Sequence, residues 1–62
     1  MTGKRLLDIK EAAEFLNVSP NTLYSWVSQR RIPFVKLGRR VEFDLEDLQD
    51  WIEHHKVKQK EF

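Results

Sequence analysis

A mainly α domain of three short helices and one small two-stranded β-hairpin is what the 62-residue sequence predicts. Three observations lead there. Apolar residues recur at helical spacing in three separate segments, each preceded by a residue suited to cap a helix. The second of these segments starts only three residues after the first ends. Between the second and the third, apolar and polar side chains alternate on either side of Gly38.

The first helix is read in DIKEAAEFLN, where Ile9, Ala12, Ala13 and Leu16 fall at i, i+3, i+4 and i+7 and make one apolar stripe. Asp8 precedes it as N-cap, and Glu11 stands where its side chain can reach back to the cap's N–H, an Asp variant of the capping box. The helix is expected over Ile9 to Leu16. It stops at Asn17, a residue that tolerates the left-handed conformation of a sharp helix end. Ser19 then caps a second helix with Pro20 in its first turn, where the missing N–H costs nothing. That helix is expected over Pro20 to Ser28, with Leu23, Trp26 and Val27 turned inward. Two helices joined by Asn17, Val18 and Ser19, the first carrying Ala12 and Ala13 where its partner must approach closely, form a helix-turn-helix.

Pro33 ends any helical continuation. In RRIPFVKLGRRVEF, Val35, Leu37, Val41 and Phe43 are expected on one face of a hairpin that turns over Gly38 to Arg40, with Lys36 and Glu42 on the other. Asp44 caps the third helix, Asp47 is placed to complete its box, and Leu45, Leu48, Trp51 and Ile52 form its inner stripe through about His55. The tail, 56–62, is expected to fray.

A single domain over 1–62, with its core in about 5–55, follows from this length, and a chain of this size buries only about 60% of its unfolded surface. No cysteine is present, so neither a disulfide framework nor a thiolate zinc site supplements the core. The N-terminus MTGKRLLDIKEAAEF lacks the apolar stretch of a signal peptide and no long apolar run follows, so a cytoplasmic location without membrane contact is expected. The formal net charge is only +1, but the charges are segregated. Arg30, Arg31, Lys36, Arg39 and Arg40 follow one another without an acid, whereas Glu42, Asp44, Glu46, Asp47, Asp50 and Glu53 follow without a cation. The basic side is the one that steers toward polyanions.

The stretches IKEAAEFLNVSPNTLYSW and IPFVKLGRRVEFDLEDLQDWI together resemble the excisionase-like, MerR-like winged helix-turn-helix DNA-binding domains, over roughly residues 5 to 54. The resemblance implies that the helix from Pro20 to Ser28 enters the major groove of double-stranded DNA, while the wing, Lys36 to Arg40, lies along the backbone or in an adjacent minor groove. Carried over position by position, Ser19, Asn21, Thr22, Tyr24 and Ser25 face DNA from the helix, and Arg39 and Arg40 from the wing. It further implies an architectural or regulatory role in recombination or transcription, with a recombinase or further copies of the chain as partners. Members commonly carry glycine just before the Ile-Pro step, where Arg31 stands, so a different exit from the second helix or some backbone strain at Arg31 is expected. Mercury-resistance-type regulators continue into a long dimerisation helix, whereas this chain ends soon after Trp51, in keeping with the stand-alone excisionase type or a fragment of something larger.

Each of these features has a plainer counterpart. Cations on a hairpin are ordinarily solvated surface, but five in succession beside a helix-turn-helix favour phosphate contact, which adds Arg30, Arg31 and Lys36 to the candidates. Asn21, Thr22, Ser25 and Gln29 have the chemistry to read base edges, since Asn and Gln suit adenine. Tyr24 lies off the inner stripe with its hydroxyl free for a phosphate, whereas Trp26 lies on that stripe and is structural. Adjacent His54 and His55 diverge by about 100° on a helix and have no third ligand, so no metal site is expected. The acids Glu46, Asp47, Asp50 and Glu53 lack a pocket and suit either the helix dipole or a protein partner. No nucleophile with its base, no phosphate-cradling loop and no cofactor motif is present, so no enzyme activity and no small-molecule substrate are expected. The alternative to DNA binding is a protein-interaction module that uses the acidic third helix. RNA is disfavoured because no aromatic platform for splayed bases stands among the expected surface residues.

Overall fold

Side chains that accept the first free amides fix where each helix begins. The computed structural model describes residues 5–57, and in chain order its elements are β1 (Leu6–Leu7), α1 (Ile9–Leu16), α2 (Pro20–Ser28), β2 (Val35–Leu37), β3 (Arg40–Asp44) and α3 (Leu45–His54). At α1 the expected capping box forms: Asp8 Oδ1 accepts the Glu11 N–H at 2.8 Å and Glu11 Oε1 accepts the Asp8 N–H at 3.0 Å. At α2 the Ser19 hydroxyl oxygen accepts the Thr22 N–H at 3.2 Å and Pro20 occupies the first turn. At α3 Asp44 Oδ1 accepts the Glu46 N–H at 2.9 Å.

The exits of α1 and α2 are built alike. Asn17 takes φ 61 and ψ 44 after α1, with its N–H donating to the Glu14 carbonyl at 3.1 Å and that of Val18 to Ala13 at 2.9 Å. This is the Schellman arrangement, and asparagine tolerates it. After α2 the same pair of bonds recurs, Arg30 N–H to Val27 at 3.0 Å and Arg31 N–H to Trp26 at 2.8 Å. The left-handed residue here is Arg30, at φ 57. The irregularity expected at Arg31 therefore falls one position earlier, because it is the residue directly after the cap that must turn left-handed.

The sheet is antiparallel with strand order β1-β3-β2. Strand β1 was not visible in the sequence, where two residues are too few to show alternation. It pairs Leu6 with Asp44 and Leu7 with Phe43, and the Arg5 carbonyl just before it accepts the Leu45 N–H at 3.0 Å. The hairpin confirms a wing but corrects its register. Val35 stands opposite Glu42, Lys36 opposite Val41 and Leu37 opposite Arg40, so only Gly38 and Arg39 form the turn. Gly38 has φ 64 and Arg39 is not left-handed, the pattern of a two-residue turn with glycine first. A loop one residue shorter than expected exchanges the faces of one strand against the other. Val35 and Leu37 consequently share a face with Arg40 and Glu42, and Lys36 shares one with Val41.

Phe43 from β3, Leu23 from α2 and Leu48 from α3 are the largest fully buried side chains. Leu7, Ala12, Ala13 and Ile32 complete the core, with Ile9, Leu16, Val18, Val27, Phe34 and Leu45 among the half-buried residues packed on it. Trp26 is structural, as expected: its ring lies 5.6 Å from that of Trp51, whose Nε1–H donates to the Arg31 carbonyl at 2.9 Å and ties α3 to the end of α2. Of the tail expected to fray, residues 58–62 lie outside the described residues. No helix among the described residues is long and apolar enough to cross a membrane.

Candidate nucleic-acid interface

Burying Leu23 and half-burying Trp26 and Val27 leaves Asn21, Tyr24 and Ser25 on the solvent side of α2, at i, i+3 and i+4. Tyr24 is 53% exposed. Ser19, at the cap, is also exposed, and its hydroxyl is doubly engaged: besides capping, it donates to Thr22 Oγ1 at 3.0 Å. Thr22 is half-buried. At the other end of the helix Gln29 Nε2 donates to Ser25 Oγ and Arg31 Nη1 donates to Gln29 Oε1, each at 3.2 Å. Ser25, Gln29 and Arg31 thus form a hydrogen-bonded row leading from the helix toward the wing strands. Arg30, in the turn, is exposed.

On the wing Lys36, Arg39 and Arg40 are all exposed, but the register sends Lys36 and Arg40 to opposite faces of the hairpin. Arg39 sits at the tip, where the glycine before it makes the turn. The side chains of Asn21, Tyr24, Lys36 and Arg39 make no hydrogen bond or ion pair with the described residues. Their polar groups remain available to a ligand.

Helix and wing face each other across an open notch of about 340 Å³, lined by Asp8, Ile9, Tyr24, Arg39, Arg40, Val41 and Glu42. Three of the expected contact residues, Tyr24, Arg39 and Arg40, meet there. Asn21, Ser25, Gln29 and Arg31 do not line it, and they spread along α2 instead. Reasoning from the sequence missed Glu42. Arg40 was placed in the loop, so the strand period that puts residues i and i+2 on one face was not applied to the pair. In the structure Arg40 Nη2 donates to Glu42 Oε2 at 3.0 Å, and the arginine side chain is 73% exposed while the carboxylate is only 9% exposed.

The groups expected to be uninvolved lie elsewhere. His54 and His55 each place Nδ1 2.9 Å from a backbone carbonyl one turn earlier, and the His55 ring stacks on Trp51 at 4.2 Å. Glu46, Asp47, Asp50 and Glu53 are exposed on α3. Among the described residues no three His, Cys, Asp or Glu side chains gather in one place.

A protein-family model described as a helix-turn-helix domain matches residues 6–56, from β1 to just beyond α3. No curated protein and no solved structure matches the chain.

Proposed function

The chain belongs to the helix-turn-helix domain family, and on that premise we propose that it is a sequence-specific double-stranded DNA-binding protein of the excisionase-like, winged type. Helix α2 lies in the major groove, with Asn21, Tyr24 and Ser25 toward base edges and Ser19 and Thr22 near the phosphates at its N-terminus. The wing follows the backbone or the neighbouring minor groove through Lys36, Arg39 and Arg40, and Arg30, Arg31 and Gln29 flank the helix exit. The whole chain, 1–62, acts as one domain and works in the cytoplasm as an architectural or regulatory factor of recombination or transcription.

The single observation that carries this reading is the notch. It brings an exposed tyrosine of α2 and two arginines of the wing onto one open surface, the hydroxyl and guanidinium chemistry that nucleic-acid contacts use. A module this small covers on the order of 600–1,000 Å² of its surface on DNA, so tight binding calls for a second copy or a recombinase alongside.

The test is an amide-shift NMR titration with a mixed-sequence duplex of about 20 base pairs at about 50 and 200 mM salt, across which phosphate-driven binding weakens steeply. Salt-sensitive shifts on residues 19–31 and 36–40 are the expected result. Absence of shifts at low salt overturns the reading and redirects the search to a protein partner for the exposed acids of α3.

A further inference from the structure

A buried carboxylate in a basic wing needs an explanation. Glu42 sits two residues from Arg40 on the same face of β3, lines the notch, and is closed off from water almost completely. Its carboxylate holds Arg40 Nη2 at 3.0 Å. A buried charge deprived of its partner is strongly disfavoured, so Arg40 cannot leave for a distant phosphate without stranding Glu42. The bond uses one of the five N–H donors of the guanidinium, and the arginine side chain is otherwise 73% exposed. The pair as a whole carries no net charge. It therefore has little to gain from displacing counterions, but it presents fixed donors to whatever lies opposite. Arg39 and Lys36, which form no ion pair with the described residues, differ in both respects.

We propose that Glu42 is a positioning residue that converts Arg40 from a phosphate anchor into a reader of acceptor atoms on base edges in the groove the wing enters, leaving Arg39 and Lys36 as the wing's phosphate contacts. The inference rests on the DNA-binding reading above. It assigns discrimination to a neutralised arginine and bulk affinity to the unpaired cations. Loss of the negative charge at position 42 frees Arg40 to act as an ordinary cation, which strengthens binding to any sequence while weakening the preference among sequences.

The experiment compares the wild-type chain with Glu42→Gln, which keeps the size and an acceptor oxygen. Both are measured on a mixed-sequence duplex and on a duplex selected from a random pool. The variant is expected to bind the mixed duplex more tightly at low salt, and to lose about threefold more affinity than wild type between about 50 and 200 mM salt, as one added phosphate contact requires. Its ratio of selected to mixed affinity is expected to fall. In an Arg40→Gln background, which removes the cation that Glu42 holds, adding Glu42→Gln is expected to change the salt dependence little. A uniform loss of affinity with unchanged salt slope and unchanged ratio identifies a merely structural residue and overturns the proposal, as does an undiminished effect in the Arg40→Gln background. Slow exchange of the Arg40 Nη2 protons in free wild type, lost in Glu42→Gln, checks the pinning without DNA; equal exchange in both overturns it. Absence of any binding by the wild type defeats the DNA reading itself, an outcome distinct from all of these.

Discussion

Replacing Arg30 by glycine should make the domain more stable, although it removes a side chain and adds no contact. Arg30 holds φ 57 to close the end of α2, with its N–H on Val27 and the next N–H on Trp26. For an L-residue the left-handed conformation costs about 1–2 kcal/mol, a cost glycine does not bear. Against this, glycine widens the unfolded ensemble by about 0.4–1 kcal/mol. The difference, at most about 1.6 and centred on about 0.8 kcal/mol in favour of the variant, corresponds at its centre to a rise in Tm of about 3–6 °C in a domain this small. Arg30→Ala removes the same charge and the same side chain but keeps the Cβ, so it separates backbone relief from relief of repulsion with Arg31. Thermal unfolding followed by circular dichroism at 222 nm, in high salt to suppress charge effects, measures both variants. Equal Tm for Arg30→Gly and Arg30→Ala refutes the argument, because relief of the left-handed turn should outweigh the unfolded-state entropy that glycine adds. Asn17→Gly provides a second comparison and should gain less, since asparagine already tolerates φ 61.

Other expectations concern both stability and binding. Asp8→Ala removes one half of the capping box at α1 and should cost about 1 kcal/mol, read as a lowered urea midpoint with unchanged slope. Trp51→Phe loses the bond to the Arg31 carbonyl and should cost about 1 kcal/mol by the same measurement. Leu23→Ala empties the centre of the core and should cost about 2–5 kcal/mol, enough to leave a large unfolded fraction visible in the amide spectrum. Arg39→Ala should weaken binding about equally on all duplexes and reduce the salt slope by about one contact, as measured by fluorescence anisotropy.

The first two helices were legible in the sequence to the residue because their boundaries are chemical, whereas the third ends at His54 rather than His55 and its cap Asp44 accepts from Glu46. Asp8 with Glu11, and Ser19 with Pro20, admit few other structures, and Asn17 marks a stop that needs only its own backbone. The turn of the wing was legible as to place but not as to length. Gly38 followed by two arginines fits a loop of two residues or three, and the apolar alternation of Val41 and Phe43 reads well either way. The choice depends on which residues β3 can bury, and a buried Glu42 is ion-paired to Arg40, a relation between side chains that alternation of apolar residues does not encode. Strand β1 was hidden for a similar reason, since Leu6 and Leu7 are strand only because β3 offers them an edge. The expected site residues were legible as exposed polar positions; that Tyr24 shares a notch with Arg39 and Arg40 while Gln29 bonds to Ser25 was a matter of three-dimensional arrangement.

Strand β3 ends at Asp44 and α3 begins at Leu45, with no connecting residue between them. The strand that carries Arg40 is thus continuous with a helix anchored in the core by Leu48, and it is stapled on its far side by β1. On its β3 side such a wing has no linker between itself and the core. In the docking proposed above, a mismatch between the angle of α2 to the wing and the path of straight B-form DNA would fall largely to the nucleic acid. On that account the deformability of the target, greatest at pyrimidine–purine steps, becomes part of what the protein selects.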